Sequence, residues 1–200
     1  MSPGDDSGVR AVGAHTPSRN PRALAERLLA VGVPVIVVRD GDTFPSGWER
    51  LSADQCDLRG FRPGKDALAL VGGHGIDVVD EDSKVGGSVD ALPPFRSYGV
   101  TRTPSGGRHF IVPSTGLGKI TPLVGVGDYV GGRPDGGSRL LAYLPGSVRP
   151  KYPDGGYVEE VQWDVEACVA ATPEAGLVAA AMIVLLLRRG LGPARVRPGF

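Results

Sequence analysis

The chain has 200 residues, with 22 Lys+Arg against 22 Asp+Glu and a formal net charge of zero, which excludes a generally basic nucleic-acid coat and leaves any nucleic-acid contact to a local patch. Two cysteines, Cys56 and Cys168, and three histidines support neither a disulfide framework nor a Cys-based zinc centre. With no apolar leader core and no apolar run longer than Leu177–Leu187, the expectation is a reduced, cytoplasmic protein without a membrane segment.

In chain order, residues 1–19 are rich in Ser, Gly, Pro and charge and read as a flexible tail. Asn20 as N-cap, Pro21 at the first helical position and Gly32 as stop bracket a helix whose Leu24, Leu28 and Val31 form one apolar stripe. The β-branched run Val35–Val38 reads as a buried strand. Residues 40–66 are irregular, with Trp48 and Phe61 as anchors. Further strands are expected at Ala67–Val71, Ile76–Val79, Arg108–Val112, Asp128–Val130, Arg139–Leu144 and Tyr157–Trp163. Thr172 and Pro173 open a helix to Arg189, stopped by Gly190. Gly and Pro, 31 and 18 in number, suit many short strands joined by turns. Regular helices between the strands are missing, so the fold class is α+β rather than doubly wound α/β. Gly-Gly occurs six times without a repeating context, so no solenoid or propeller is read.

Several familiar patterns fail. Gly60–Asp66 (G-F-R-P-G-K-D) is one residue short of a phosphate loop and has Asp66 where Ser or Thr is needed. Gly125-Val126-Gly127 lacks the third glycine of the dinucleotide fingerprint. No nucleophile elbow and no His-x-x-x-His are present, with His only at 15, 74 and 109.

Three islands carry chemistry. In Ile76-Asp77-Val78-Val79-Asp80-Glu81-Asp82, strand alternation puts Asp80 and Asp82 on the face that begins with Ile76 and Val78. Two carboxylates held that close repel, and a divalent cation relieves the repulsion by binding both. Two such ions could clamp the attacking and leaving oxygens of phosphoryl transfer. The plain alternative is a solvated acidic turn. The second island, Thr103-Pro104-Ser105-Gly106-Gly107-Arg108-His109-Phe110, is a glycine turn able to approach an anion with its backbone. Arg108 and His109 fall on opposite faces of the strand that follows, and an ordinary hydrogen-bonded histidine is the alternative there. The third is Asp128, which sits among glycines and gains meaning only if the fold carries it to Asp80 and Asp82.

In this order, the islands resemble the bifunctional primase/polymerase domain of the archaeo-eukaryotic primase superfamily, over about residues 20–165. The matching residues are Asp80-Glu81-Asp82, Ser105-Gly106-Gly107-Arg108-His109, Asp128, the Gly131–Gly137 loop with Leu140–Tyr143, and Pro145-Gly146-Ser147. Gly32-Val33-Pro34-Val35 and Trp48 add to the likeness, although the lysine that the family carries before the tryptophan is absent, as is any Cys/His zinc stem. The resemblance implies an α+β primase-like catalytic core, an RNA-recognition-motif-like sheet with a small αβ module. The implied catalytic domain spans 20–165, between the tail over 1–19 and a C-terminal helix with a basic end over 166–200.

The implied activity is template-directed nucleotidyl transfer in phage, plasmid or bacterial DNA replication. Asp80, Asp82 and Asp128 would hold two Mg²⁺ or Mn²⁺ ions, and His109 would act with them as a catalytic residue. Ser105, Gly106, Gly107, Arg108 and His109 would bind the nucleotide. The expected partners are single-stranded DNA template, nucleoside triphosphates and a replicative helicase. Arg102, Arg108, Lys119, Arg133, Arg139, Arg149 and Lys151 are candidate template or phosphate contacts. A metal-dependent nuclease or phosphodiesterase, and a non-catalytic nucleic-acid-binding replication module, are the competing readings.

Overall fold

In a computed structural model of the protein, residues 20–123, 125–133, 141–153, 155–178 and 181–182 are described. The expected tail at 1–19, Arg139, most of the Gly131–Gly137 loop and the expected helix beyond Met182 lie outside them.

The first helix, α1 (Pro21–Ala30), forms as its signals dictate. The Asn20 side chain accepts the Arg22 N–H, proline occupies the first turn, and Leu24, Ala25 and Leu28 are buried. Next comes β1 (Val35–Val38), buried at every position. Residues 40–66 are irregular apart from two short 3₁₀ turns, and β2 (Ala67–Val71) and β3 (Ile76–Glu81) follow. Then come β4 (Val100–Arg102), β5 (Arg108–Pro113), β6 (Ile120–Leu123), β7 (Gly127–Val130), β8 (Leu141–Tyr143), β9 (Val158–Val161) and α2 (Val165–Ala170).

The strands form two antiparallel sheets. A small one has the order β1-β2-β8 and a larger one the order β6-β7-β3-β5-β4-β9. The result is a mixed α+β architecture with few helices. Strand β3 is central to the larger sheet, with β5 on one side and β7 on the other. One core lies between layers: Val35, Val37, Leu68 and Leu70 of the small sheet meet Leu24 and Leu28 of α1, Val165 and Cys168 of α2, and Ile76, Val78, Ile111 and Val130 of the larger sheet. The opposite face of the larger sheet buries Val79, Phe110, Val112 and Tyr129 under Leu177 and Ala181. Trp163 is buried, with its indole N–H donating to Thr101 Oγ1 at 3.0 Å, and fixes the segment after β9 against β4.

Three elements are absent from the sequence expectation. Strand β4 has three residues, too few to show alternation. Strand β6 contains Pro122, which demotes a strand reading, and it is accommodated because β6 is an edge strand. Helix α2 has six residues, too few for helical periodicity to register, and rests on its Asp164 cap and on burial of Val165 and Cys168. The expected 172–189 helix is represented by helical residues 175–178 and 181–182.

The failed phosphate loop at 60–66 is a charged turn. The Asp66 carboxylate is fully buried and accepts from Arg39, Arg62 and the Asp40 N–H at 2.6–3.0 Å. Asp77, on the far face of β3, is also buried. It accepts from the Tyr129 hydroxyl at 2.7 Å and from the Thr115 and Gly132 N–H groups, and burial pushes its carboxyl above the ordinary range against the pull of these donors.

Candidate active site

The register of three strands builds the site. Asp80 on β3 pairs directly with His109 on β5 and, on its other side, with Asp128 on β7. Directly opposed residues project to the same face, about 5 Å apart at Cβ. Asp128, Asp80 and His109 therefore form one row across three adjacent strands, next to the apolar row Val130, Val78 and Ile111. The larger sheet thus carries core on one stretch of this face and ionisable groups on the next.

Two carboxylates opposed across a ladder destabilise it, and each has a side-chain nitrogen beside it. His109 Nε2 lies 3.4 Å from Asp80 Oδ1, and Lys119 Nζ lies 3.8 Å from Asp128 Oδ2. About a third of each carboxylate side chain remains exposed. Asp82 follows the strand and caps a 3₁₀ turn, with one oxygen accepting the Lys84 N–H at 2.9 Å.

Close backbone packing fixes the end of β3. A Cβ on Gly127 would lie 2.9 Å from Asp82 N and would collide with the Asp80 carbonyl, and a Cβ on Gly107 would collide with the Glu81 carbonyl. These glycines let β7 and β5 close on the strand that presents Asp80 and Asp82. Gly127→Ala is expected to force the β3–β7 ladder apart and to lower stability by about 1–3 kcal/mol, measured by chemical denaturation. An unchanged midpoint would show that the ladder tolerates the methyl group.

Two hollows share Asp80 and Asp82. One, of about 220 Å³, adds Asp128 and the backbone of 125–127. The other, of about 160 Å³, adds Thr103, Ser105, His109, Tyr152 and Tyr157. Ser105, Gly106 and Gly107 belong to the turn joining β4 to β5. This turn is closed by Thr103 N–H to Gly107 O at 2.8 Å, and its Thr103 and Ser105 hydroxyls are 3.0 Å apart.

Arg108 is placed elsewhere. It extends from the opposite face, donates to both Glu81 oxygens at 2.9 and 3.1 Å and lies over the Phe110 ring. Burial alone would raise the Glu81 carboxyl, but Arg108 and the Val89 N–H hold it below the ordinary range. Of the other candidate basic contacts, Arg102 faces Glu160 at 3.6 Å and Arg149 pairs with Asp42 at 2.6 Å. Lys119 sits by Asp128, the Arg133 side chain packs beside Gly118, and Lys151 lies over the Tyr152 ring.

The sequence gives no signal for what holds His109. Its side chain is 9% exposed and Nδ1 has no hydrogen-bond partner among the described residues. The ring instead packs on Tyr157, with centroids 5.8 Å apart, and Tyr157 stacks on Tyr143 at 5.1 Å. Arg149 lies over Tyr143 at 4.6 Å. Burial pushes the Tyr157 hydroxyl up to about 12 despite the opposing Arg149 guanidinium. Ser147, buried, bonds both backbone groups of Leu68, and its carbonyl accepts the Tyr157 N–H. The Pro145-Gly146-Ser147 turn therefore ties the small sheet to the tyrosine behind His109.

The donor set suits a hard divalent cation, since Asp80, Asp82 and Asp128 offer carboxylate oxygens only. Among the described residues, no three His, Cys, Asp or Glu side chains converge tightly enough to hold an ion unaided. Mg²⁺ needs fewer: it commonly takes one or two carboxylates and fills the remaining positions with water and substrate phosphate. No protein-family model matches the chain, and no curated protein matches it in sequence. Among the described residues, no helix is long and apolar enough to cross a membrane.

Proposed function

We propose that this protein is a template-directed nucleotidyl transferase of the primase/polymerase type, acting in DNA replication on a single-stranded template with nucleoside triphosphates. The observation that carries the reading is the row Asp128–Asp80–His109 on one sheet face, with Asp82 at its edge. Two Mg²⁺ or Mn²⁺ ions held by Asp80, Asp82 and Asp128 would neutralise the triphosphate and favour ionisation of the attacking hydroxyl.

The chain's own residues do the rest. Asp80 and Asp128 hold their carboxylates on adjacent strands, so their separation is set by the ladder rather than by a loop. His109 stands beside Asp80 as a donor to a phosphate oxygen, and the Ser105–Gly107 turn bounds the same hollow. In the reaction, the 3′-hydroxyl oxygen bonds to the α-phosphorus as the bond to the β-phosphate oxygen breaks. Pyrophosphate leaves and the hydroxyl proton passes to solvent. A replicative helicase is the proposed partner in this work.

The test is a primed and an unprimed single-stranded template supplied with labelled ribo- or deoxynucleoside triphosphates and Mg²⁺ or Mn²⁺. Template-dependent extension, lost in Asp80→Asn/Asp128→Asn, is the expected result. Strand cleavage in place of synthesis would replace the reading with a phosphodiesterase that uses the same acids on water. Nucleic-acid binding by folded protein without either reaction would leave a non-catalytic module.

A further inference from the structure

Asp77 is fully buried on the face of β3 that points away from the site, and the groups that hydrogen-bond to it are all neutral. Burying a carboxylate without a cationic partner is costly, and an aliphatic side chain there would serve packing better. What the acid supplies is the direction of its hydrogen bonds. Oδ2 accepts from the Tyr129 hydroxyl at 2.7 Å and from the Thr115 N–H at 2.8 Å, and Oδ1 accepts from the Gly132 N–H at 3.2 Å. The Thr115 and Tyr129 hydroxyls are themselves 2.9 Å apart. Tyr129 lies in β7 and Gly132 just after it, and Thr115 follows the end of β5. One carboxylate of β3 thus holds both neighbouring strands. These same three strands carry Asp128, Asp80 and His109 on the opposite face.

Strand β7 needs such a hold. It has four residues, starts on Gly127 and runs into Gly131-Gly132. Its outer neighbour β6 contains Pro122 and pairs with a broken register. Register is weakly specified in glycine-rich strands. A slip of one residue would turn Asp128 to the other face, and burial of the Tyr129 ring opposes it. A slip of two residues would keep the face but carry Asp128 about 7 Å along β3, away from Asp80. The Tyr129 hydroxyl, bonded to the Asp77 carboxylate, opposes that slip.

We infer that Asp77 and Tyr129 are positioning residues, a register lock on the far face of the sheet that sets Asp128 against Asp80 for binding a divalent cation. The inference rests on the two-metal reading for what the row of acids holds, whereas the lock itself stands on the hydrogen bonds.

The probe is Mn²⁺ alone, titrated into the full chain with the free ion counted by electron paramagnetic resonance, at a temperature where circular dichroism shows each variant folded. Asp80→Asn marks the binding that belongs to the site. Tyr129→Phe removes only the hydroxyl and is expected to weaken that binding about tenfold. Asp77→Asn puts an amide N–H group where a donor now points and is expected to act in the same direction. Should Asp77→Asn fail to fold, Tyr129→Phe decides alone. Leu177→Ala thins the apolar cover over the same face without touching the lock. It is expected to lower Tm yet change the Mn²⁺ affinity by less than about twofold, which separates positioning from stability. Equal affinity in wild type and Tyr129→Phe overturns the lock and leaves the metal reading intact. A loss in Leu177→Ala as large as in Tyr129→Phe also overturns it, because any loosening of the sheet would then suffice. Wild-type binding that is absent, or that Asp80→Asn leaves unchanged, removes the metal reading and with it the role given to the lock.

Discussion

Asp80→Asn is expected to lower nucleotide incorporation by about a thousandfold and, in the same protein under chelator, to leave unfolding stability unchanged or raise it by about 0.2–1 kcal/mol. The two effects have one cause. Asp80 stands directly across the ladder from Asp128, and two opposed carboxylates without a cation between them oppose folding. Asparagine keeps the size and removes the charge. The contact with His109 at 3.4 Å leaves about a third of the Asp80 side chain in water and offsets little of this. A residue present for structure would show the reverse, with loss of stability and retention of rate. Equilibrium denaturation in chelator, alongside the extension assay, separates the cases. A clear loss of stability in Asp80→Asn would mean that its carboxylate serves the fold.

Asp66→Ala carries the largest expected cost in stability, about 2–4 kcal/mol at neutral pH, or a fall in Tm of several degrees. The carboxylate is fully buried and is held by the guanidinium groups of Arg62 and Arg39 and by the Asp40 and Arg62 N–H groups. The arginines are nearly half exposed and find water when the acid is gone, which keeps the cost below that of a fully buried pair. The Arg62 hydrogen bonds, against the opposing effect of burial, hold the Asp66 carboxyl well below the usual carboxylate range. Its folded pKa being depressed, its contribution is complete above about pH 5, where the unfolded carboxyl is fully ionised. It is lost as pH falls from there through the folded value. The stability difference between wild type and Asp66→Ala is therefore expected to be constant from neutral pH to about pH 5 and to shrink on further acidification. A difference that persists unchanged to pH 2 would show that Asp66 acts through packing rather than charge.

The elements legible in the sequence are those with strong local signals. Asn20 and Pro21 start α1, four β-branched residues make β1, Ala67–Val71 is an uninterrupted apolar run, and Ile76, Val78 and Val79 mark β3 around Asp77. Alternation from Ile76 also predicts which face Asp80 takes. What local pattern does not contain is strand pairing. Nothing near Asp128 says that it opposes Asp80, because that depends on β7 adding to one side of β3 while β5 occupies the other. The same gap explains Arg108. Its neighbourhood beside Ser105-Gly106-Gly107 suggests an anion contact, but alternation directs it to the other face, where Glu81 is its cross-strand partner. The Tyr143–Tyr157 stack behind His109 joins β8 to the residue just before β9 and left no periodic trace.

Anomalous diffraction from crystals grown with Mn²⁺ and a nucleoside triphosphate tests the central claim most directly. The account predicts manganese at coordination distance from carboxylate oxygens of Asp80 and Asp128, in the hollow bounded by Asp82. Manganese bound elsewhere, with Asp80 and Asp128 contacting only His109 and Lys119, would contradict it.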